Sequence, residues 1–141
     1  MNTSSPRAAR QAPVIEVSWG ELVDKLTILE IKEQRLSSPA AVANVRHELA
    51  VLRAALQGVE PAAQLAELKA KLTAVNEKIW QIEDDIRAKE AVGTFDQGFI
   101  QLARGVYFNN DKRAALKREI NQLLNSALVE EKQHPSYTAH D

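Results

Sequence analysis

Polar and charged side chains follow one face of a long helical stretch in the middle of the chain. Asn76, Trp80, Glu83, Arg87 and Glu90 recur at steps of four, three, four and three. Residues at this spacing share one side of an α-helix. Cations and amides beside an indole ring can bind a small anionic ligand. The same pattern is equally typical of a solvated helix edge with an ordinary i,i+4 pair between Glu83 and Arg87.

A second polar set interrupts an apolar helical stripe later in the chain. The stripe begins at Phe95 and resumes at Leu116, and between them lie Asn109, Asn110 and Arg113. If Asn110 caps a new helix, the segment breaks here, because Asn favours caps and turns. If the helix is continuous, a guanidinium faces inward, which is tolerated only when it is paired and hydrogen-bonded. The polar positions around these residues are Arg104, Tyr107, Asp111, Lys117 and Asn121.

Cations near the N-terminus either extend this cluster or face solvent. Lys25 and Lys32 share one helical face with Glu21, Ile28 and Arg35. Charged residues at this spacing are typical of a solvated face. If the face looks toward the other polar positions instead, Lys25 and Lys32 are further candidates for ligand binding.

Composition limits the function classes. The 141 residues include 18 Lys and Arg against 19 Asp and Glu, for a formal net charge of -1. Proteins that bind nucleic acid or an anionic membrane through bulk charge need a clear basic excess, so we expect neither partner. We expect no membrane span, because no apolar run approaches the roughly 20 residues that one requires. The absence of cysteine fits a reducing, cytoplasmic location.

The sequence carries no recognisable cofactor or metal motif. A Gly-rich phosphate loop, a nucleophile elbow and a zinc-protease helix motif are all missing. None of the three histidines has a second histidine at i+3 or i+4, so we expect no zinc site. The acidic run Glu83, Asp84 and Asp85 resembles half of the carboxylate set of all-helical magnesium-dependent nucleotide pyrophosphohydrolases, but a second pair is missing. The prediction is therefore no metal and no cofactor.

The helices that must position these residues are marked by capping and breaking residues. A Ser or Thr followed three residues later by Glu or Gln is a capping box, and Pro is favoured at the first helical position. Between these signals apolar residues recur at steps of three and four, and no segment has the period of a strand. The first helix begins after Ser18, the second at Pro39 after Ser38 and the third at Pro61; Gly58 and Gly93 end the second and third, and Thr94 with Gln97 opens the fourth.

These segments predict an all-α fold of three to five helices. The expected architecture is a compact antiparallel helical bundle, in which a short N-terminal helical hairpin packs on a longer, coiled-coil-like hairpin. We expect one helical-bundle domain over residues 16–132. A disordered N-terminal tail at 1–15 and an irregular C-terminal tail at 133–141 flank it.

Two further expectations follow from this architecture. Antiparallel packing of the third and fourth helices brings Glu83 near Arg104 and Asn76 near Asp111. A narrow apolar seam along the second helix, Val42–Leu56, suits a partner helix or a homodimer.

Three long stretches of the chain carry a family resemblance that extends over nearly all of residues 17–132. They are SWGELVDKLTILEIK at 18–32, NEKIWQIEDDIRAKE at 76–90, and FIQLARGVY at 99–107 with NDKRA at 110–114 and KREIN at 117–121. These motifs resemble an uncharacterised family of small bacterial proteins, classified as a domain of unknown function. The resemblance implies no established activity, but it associates the chain with bacterial surface-glycan or glycosyltransferase contexts. The family's pattern includes the polar positions of the helical face and of the interrupted stripe described above.

The chain departs from the family pattern at its C-terminal end. Asn125-Ser126 stands where the family tends to have Gly-Ser, and Asn is the next-best residue for a left-handed helix terminus. The run after Glu130 continues into Gln-His-Pro where an aromatic residue is more usual. The first change leaves the fold intact, and the second leaves the tail without an assigned role.

The function that these patterns favour is a non-catalytic binding or adaptor module whose mixed-charge polar cluster binds a small anionic ligand. One alternative is a small helical-bundle enzyme that acts by electrostatic positioning on an anionic metabolite or sugar nucleotide. Another is a structural scaffold in which the cluster is a self-paired network that fixes helix register. The near balance of carboxylates and cations in the cluster suits a self-paired network better than a polyphosphate site.

Overall fold

The computed structural model of the chain describes residues 7–137, and this part is all-α, as predicted. Its helices are α1 (Trp19–Arg35), α2 (Pro39–Leu56), α3 (Ala62–Ala91) and α4 (Gln97–Leu123). The short hairpin of α1 and α2 packs on the long hairpin of α3 and α4. The predicted bundle of two antiparallel hairpins is confirmed.

Helix starts follow the capping residues, with one correction. The Ser18 hydroxyl accepts a hydrogen bond from the backbone N–H of Glu21 at 3.1 Å, and Ser38 caps α2 with Pro39 at its first position. The predicted Thr94 cap of α4 is wrong, because the Asp96 side chain is the cap. Thr94 instead donates its N–H to the carbonyl of Lys89 at 2.9 Å and thereby closes the end of α3.

α4 is continuous through its polar stretch, so the alternative of a break at Asn110 is wrong. Asn109 is buried, and its side-chain amide donates to the carbonyl of Gly105 one turn earlier at 2.8 Å. Gly105 lies against Ile82 of α3, since a Cβ atom at this glycine would come within 3.0 Å of the Ile82 side chain. The long hairpin therefore keeps a close antiparallel register and carries Arg113 toward α1.

α1 is the central helix, because it packs against each of the other three. On one side, Leu26 and Leu29 join the α2 residues Val45 and Leu49 in a buried cluster. On the other side, Val23 packs against residues of α3 and α4. A helix that is covered on two sides has room for polar residues only where they find partners in the core.

The apolar seam of α2 is filled within the chain. Val45 and Leu49 are buried against Leu26 and Leu29 of α1. Leu52 and Leu56, also on α2, pack on the same cluster. The seam Val42–Leu56 is therefore the inner face of the short hairpin. The expectation that this seam receives a partner helix or a homodimer is corrected by this packing.

The two ends of the chain differ in their contacts. Residues 1–6 and 138–141 lie outside the described part, and residues 7–17 are exposed and outside any helix. Residues 124–137, here called the C-terminal segment, have no regular structure but run back along α4. None of the described helices combines the length and the apolarity needed to cross a bilayer.

Candidate functional site

The polar centre of the bundle is a buried carboxylate on α1. Asp24 is 1% exposed. Its Oδ1 accepts hydrogen bonds from Asn76 Nδ2 and Arg113 Nε, each at 2.9 Å, and its Oδ2 accepts from Arg113 Nη2 at 2.5 Å. A two-point contact between a guanidinium and a carboxylate is among the strongest polar pairings in proteins. Asp24 therefore joins α1, α3 and α4 at one point.

Two further hydrogen bonds lie next to Asp24. Asn76 Nδ2 lies 2.9 Å from Thr27 Oγ1, and the Thr27 hydroxyl donates to the Asp24 carbonyl at 2.7 Å. The hydrogen bonds that Arg113 donates to Asp24 raise the pKa of Arg113 against the opposing effect of burial. Asp24, Thr27, Asn76 and Arg113, here called the Asp24 network, satisfy one another and carry no net charge. A fully hydrogen-bonded buried network of this kind can fix helix register.

One turn away, Lys117 forms a second centre, whose carboxylate partners are more exposed than Asp24. Its ammonium donates to Glu21 Oε2 at 2.7 Å and to Glu130 Oε2 at 2.6 Å, and its side chain is only 12% exposed. Burial lowers the pKa of Lys117, but the hydrogen bonds to Glu130 and Glu21 outweigh this effect and raise it. The same contact with Lys117 lowers the pKa of Glu130.

These groups line a cleft of about 660 Å³ between the start of α1, the second half of α4 and the C-terminal segment, here called the Lys117 cleft. Its walls carry side chains of both charge signs together with amides and an imidazole. At its end, Asn121 Oδ1 accepts the N–H of Gly20 at 2.7 Å. The polar and ionisable side chains that line it are Glu21, Asn110, Arg113, Lys117, Arg118, Asn121, Glu130, Glu131, Lys132, Gln133 and His134.

The C-terminal segment closes one side of the Lys117 cleft. Beyond Glu130, Lys132 forms an ion pair with Asp111 at 2.7 Å, and the Tyr137 hydroxyl donates to the same carboxylate. The Tyr137 ring also packs against the rings of Tyr107 and Phe108. The hydrogen bond from Lys132, followed by that from Tyr137, lowers the pKa of Asp111, and the Asp111 carboxylate raises the pKa of Tyr137 to about 12. The tail that sequence analysis left without a role is thus an integral wall of the cleft.

The polar face of α3 lines a smaller cleft of about 340 Å³ on the other side of Arg113. Trp80 is half-buried there, and Asn76 connects this cleft to the Asp24 network. Glu83 and Arg87 form an i,i+4 ion pair at 3.3 Å, and the Arg87 side chain is 79% exposed. This pair therefore matches the alternative that the polar face of α3 is a solvated helix edge.

The predicted site residues do not form one cluster. Asn76 and Arg113 belong to the Asp24 network, whereas Asn110, Lys117 and Asn121 line the Lys117 cleft, which Arg113 also reaches. Asn76 faces Asp24 instead of Asp111, because α1 lies over the inner face of α3.

Other predicted residues lie away from both centres. Lys25 pairs with Glu48 of α2 at 3.2 Å, Glu90 is exposed near the end of α3, and Lys32 lies in the last turn of α1. Arg104 donates to Gln101 of its own helix and lies over the Phe108 ring. Lys25 therefore does not extend the cluster, whereas Glu21 of the same predicted face does, because it contacts Lys117.

Sequence analysis missed Asp24 and Thr27 of the Asp24 network and, in the Lys117 cleft, Arg118 and the residues from Glu130 to His134. Asp24 lies beside the apolar residues of α1, and with Gly20 and Thr27 it forms a second stripe of small and polar residues at helical spacing. A helix with two such stripes is packed on two sides, and this signal could have identified Asp24. Glu130 lies outside any helix, so no periodic pattern marks it. Within residues 7–137, no three His, Asp or Glu side chains gather in a group that could hold a metal ion.

Comparison with known proteins gives one positive result. The model of a family of unknown function (DUF6165) matches residues 14–139, and so covers both polar centres and all four helices. No curated protein and no solved structure matches the chain. By this match over nearly its whole length, the chain belongs to the family of unknown function DUF6165.

Proposed function

We propose that the chain is a non-catalytic binding module that holds a small anionic ligand in the Lys117 cleft. The observation that carries the proposal is the double contact of Lys117. Glu21 anchors the ammonium from α1, and Glu130 contacts it from a segment without regular structure. The carboxylate of Glu130 thus takes the place that a ligand carboxylate or phosphate would occupy.

The other cleft residues suit an anion that also carries hydroxyl groups. Arg118, Lys132 and the amides of Asn110 and Gln133 supply hydrogen-bond donors. The cleft carboxylates supply acceptors for ligand hydroxyls. A volume of about 660 Å³ is of the size that ligand pockets commonly have. Together with the surface-glycan contexts of the family resemblance, this chemistry favours a sugar phosphate or a nucleotide sugar.

The shifted pKa values favour binding over catalysis. A general acid or base works best with a pKa near the operating pH. The pKa of Lys117 is raised and that of Glu130 is lowered, so both move away from neutrality. These two groups are consequently suited to hold charge at pH 7, not to transfer protons, which makes the enzyme alternative the weaker one.

A thermal-shift panel of sugar phosphates, nucleotide sugars and dicarboxylates, each with and without Mg²⁺, tests the proposal. A ligand at one hundred times its Kd should stabilise the fold by about 2.7 kcal/mol. Lys117→Met should abolish the shift, whereas Glu130→Gln should strengthen binding, because it removes the competing carboxylate. Lys25→Met, which breaks an ion pair on the other side of α1, is the matched control.

Two outcomes would contradict this function. One is a panel with no stabilising compound. The other is a shift that Lys117→Met leaves unchanged. In the scaffold alternative, Glu130→Gln would only loosen the C-terminal segment and would strengthen no binding.

A further inference from the structure

The long hairpin has a second face that no helix of the described chain covers. Two adjoining grooves of about 640 and 1060 Å³ run along it, and both include Lys112 and Ala115. Their lining comes from α3 and α4, with Tyr137 at the edge and no residue of α1 or α2. On α4 they extend from Gly98 to Gln122, which at 1.5 Å per residue is about 36 Å. We call this continuous surface the hairpin groove.

The floor of the hairpin groove is apolar and includes small residues. Ala74 and Val75 of α3 face Ala115 and Leu116 of α4 in one half, and Gly105 lies in the other half. Small residues between two parallel or antiparallel helices leave a trough into which the side chains of a third helix can insert. The opposite face of the same hairpin already accommodates a helix in this way, since α1 packs there.

The rim of the hairpin groove is basic. Six of its ionisable side chains are cationic and two are carboxylates, in a chain whose net charge is -1. Lys71 and Lys89 have carboxylate neighbours, at 3.7 Å and 3.1 Å. Within residues 7–137, however, no carboxylate lies within 4.0 Å of the ammonium groups of Lys78 and Lys112. These two lysines lie on opposite helices of the groove.

We propose that the hairpin groove docks an acidic amphipathic helix of a partner protein. The apolar floor matches the apolar stripe of such a helix, and Lys78 and Lys112 match carboxylates that flank the stripe. A second copy of this chain fits less well, because groove-to-groove contact would bring like charges together. The proposal does not rest on ligand binding in the Lys117 cleft.

Fluorescence anisotropy with two synthetic peptides tests this docking. Each peptide is about four heptads long with Leu at the a and d positions, and the flanking e and g positions carry Glu in one and Lys in the other. The wild-type protein should bind the Glu peptide, less tightly as salt is added, and should not bind the Lys peptide. The double variant Lys78→Glu/Lys112→Glu should weaken binding about tenfold or more.

Two further variants make the test specific. Arg46→Glu/Arg53→Glu reverses the same number of charges on α2, outside the groove, and should leave binding unchanged. Ala115→Trp places an indole on the groove floor and should abolish binding while circular dichroism still reports a helical fold.

The proposal is overturned if neither peptide binds, if both bind equally, or if Lys78→Glu/Lys112→Glu has no effect. It is also overturned if sedimentation shows a dimer that Ala115→Trp dissociates, since a second copy would then occupy the groove.

Discussion

The Asp24 network and the Lys117 cleft contain the same kind of ion pair but differ in the residue that completes it. In both, a carboxylate of α1 meets a cation of α4, and the two pairs lie one helical turn apart. The third partner of the inner pair is Asn76, which α3 holds in the core. The third partner of the outer pair is Glu130, which belongs to the C-terminal segment and whose side chain is 59% exposed.

This difference separates a structural centre from a candidate ligand site. A group held by three packed helices cannot leave without unfolding, and removing one partner leaves another charge buried and unpaired. An exposed carboxylate on a segment without regular structure contributes little to stability and can be replaced by a solute anion. The two centres should therefore respond in opposite ways to mutation and to ligands.

The largest effect is expected at Asp24. Asp24→Ala leaves the partly buried Arg113 guanidinium without its acceptor and the Asn76 amide with Thr27 as its only remaining acceptor among these residues. Loss of one member of a buried ion pair costs about 3–5 kcal/mol. In thermal unfolding this should lower Tm on the order of 10 °C. Asp85→Ala, which removes an exposed carboxylate bonded to Gln81, should leave Tm nearly unchanged, and equal losses in the two variants would contradict the structural role.

The next effect is expected where α1 approaches α4 most closely. A Cβ atom at Gly20 would lie 2.4 Å from the backbone carbonyl oxygen of Lys117 and 3.0 Å from Asn121 Oδ1. Because the nearest atom is backbone, Gly20→Ala must push the helices apart, at a cost of about 1–3 kcal/mol in urea unfolding. Gly98→Ala meets only the side chains of Asp96 and Lys89, which can move. If both variants were equally stable, the close approach of α1 and α4 would be wrong.

A smaller effect on stability is expected at Lys117. Both of its carboxylate partners are substantially exposed, at 45% for Glu21 and 59% for Glu130. Lys117→Met keeps the aliphatic part of the side chain and should lower the free energy of unfolding by no more than about 1 kcal/mol. Urea unfolding measures this change directly. A loss as large as that of Asp24→Ala would show that the two centres do not differ.

The smallest effect concerns pH and is confined to the C-terminal segment. The pKa values of Glu130 and Asp111 lie below their ordinary values of 4.5 and 3.8, so their contacts stabilise the segment fully above about pH 4.5. These contacts are lost as the pH falls through the lowered values. NMR contacts between Tyr137 and Phe108 should consequently disappear below about pH 3.8, before the signals of the Leu49 core change. If both sets of signals were lost together, the C-terminal segment would not detach independently of the core, which would contradict this prediction.

Much of the fold could be predicted from local signals. Ser18, Ser38 and Pro39 mark helix starts because capping chemistry acts within one turn, and the continuous apolar stripes mark both hairpins. The inward position of Arg113 also follows from its place in such a stripe. The cap of α4 could not be predicted in this way, because Thr94 and Asp96 both favour a helix cap in the turn between α3 and α4. Thr94 closes the end of α3, so Asp96 caps α4.

The partners of the polar residues could not be predicted in the same way. Pairing depends on which face of α1 looks toward the long hairpin, and that choice is made by packing over the whole bundle. Lys25 and Asp24 are adjacent in sequence, yet one faces α2 and the other the core. Glu130 approaches Lys117 only because the chain turns back after α4, where Asn125 has a positive φ of 49°. Sequence periodicity carries no information about such a return.

The most direct test of the central claim compares Asp24→Ala with Lys117→Met. Asp24 belongs to the Asp24 network and does not line the Lys117 cleft, whereas Lys117 is the cation at the centre of that cleft. Thermal unfolding with and without a hexose phosphate reports both stability and binding. Asp24→Ala should lose about 3–5 kcal/mol and keep the ligand-induced shift in Tm. Lys117→Met should keep its stability and lose the shift. Equal losses of stability, with no shift in the wild type, would contradict the division into a structural network and a ligand site.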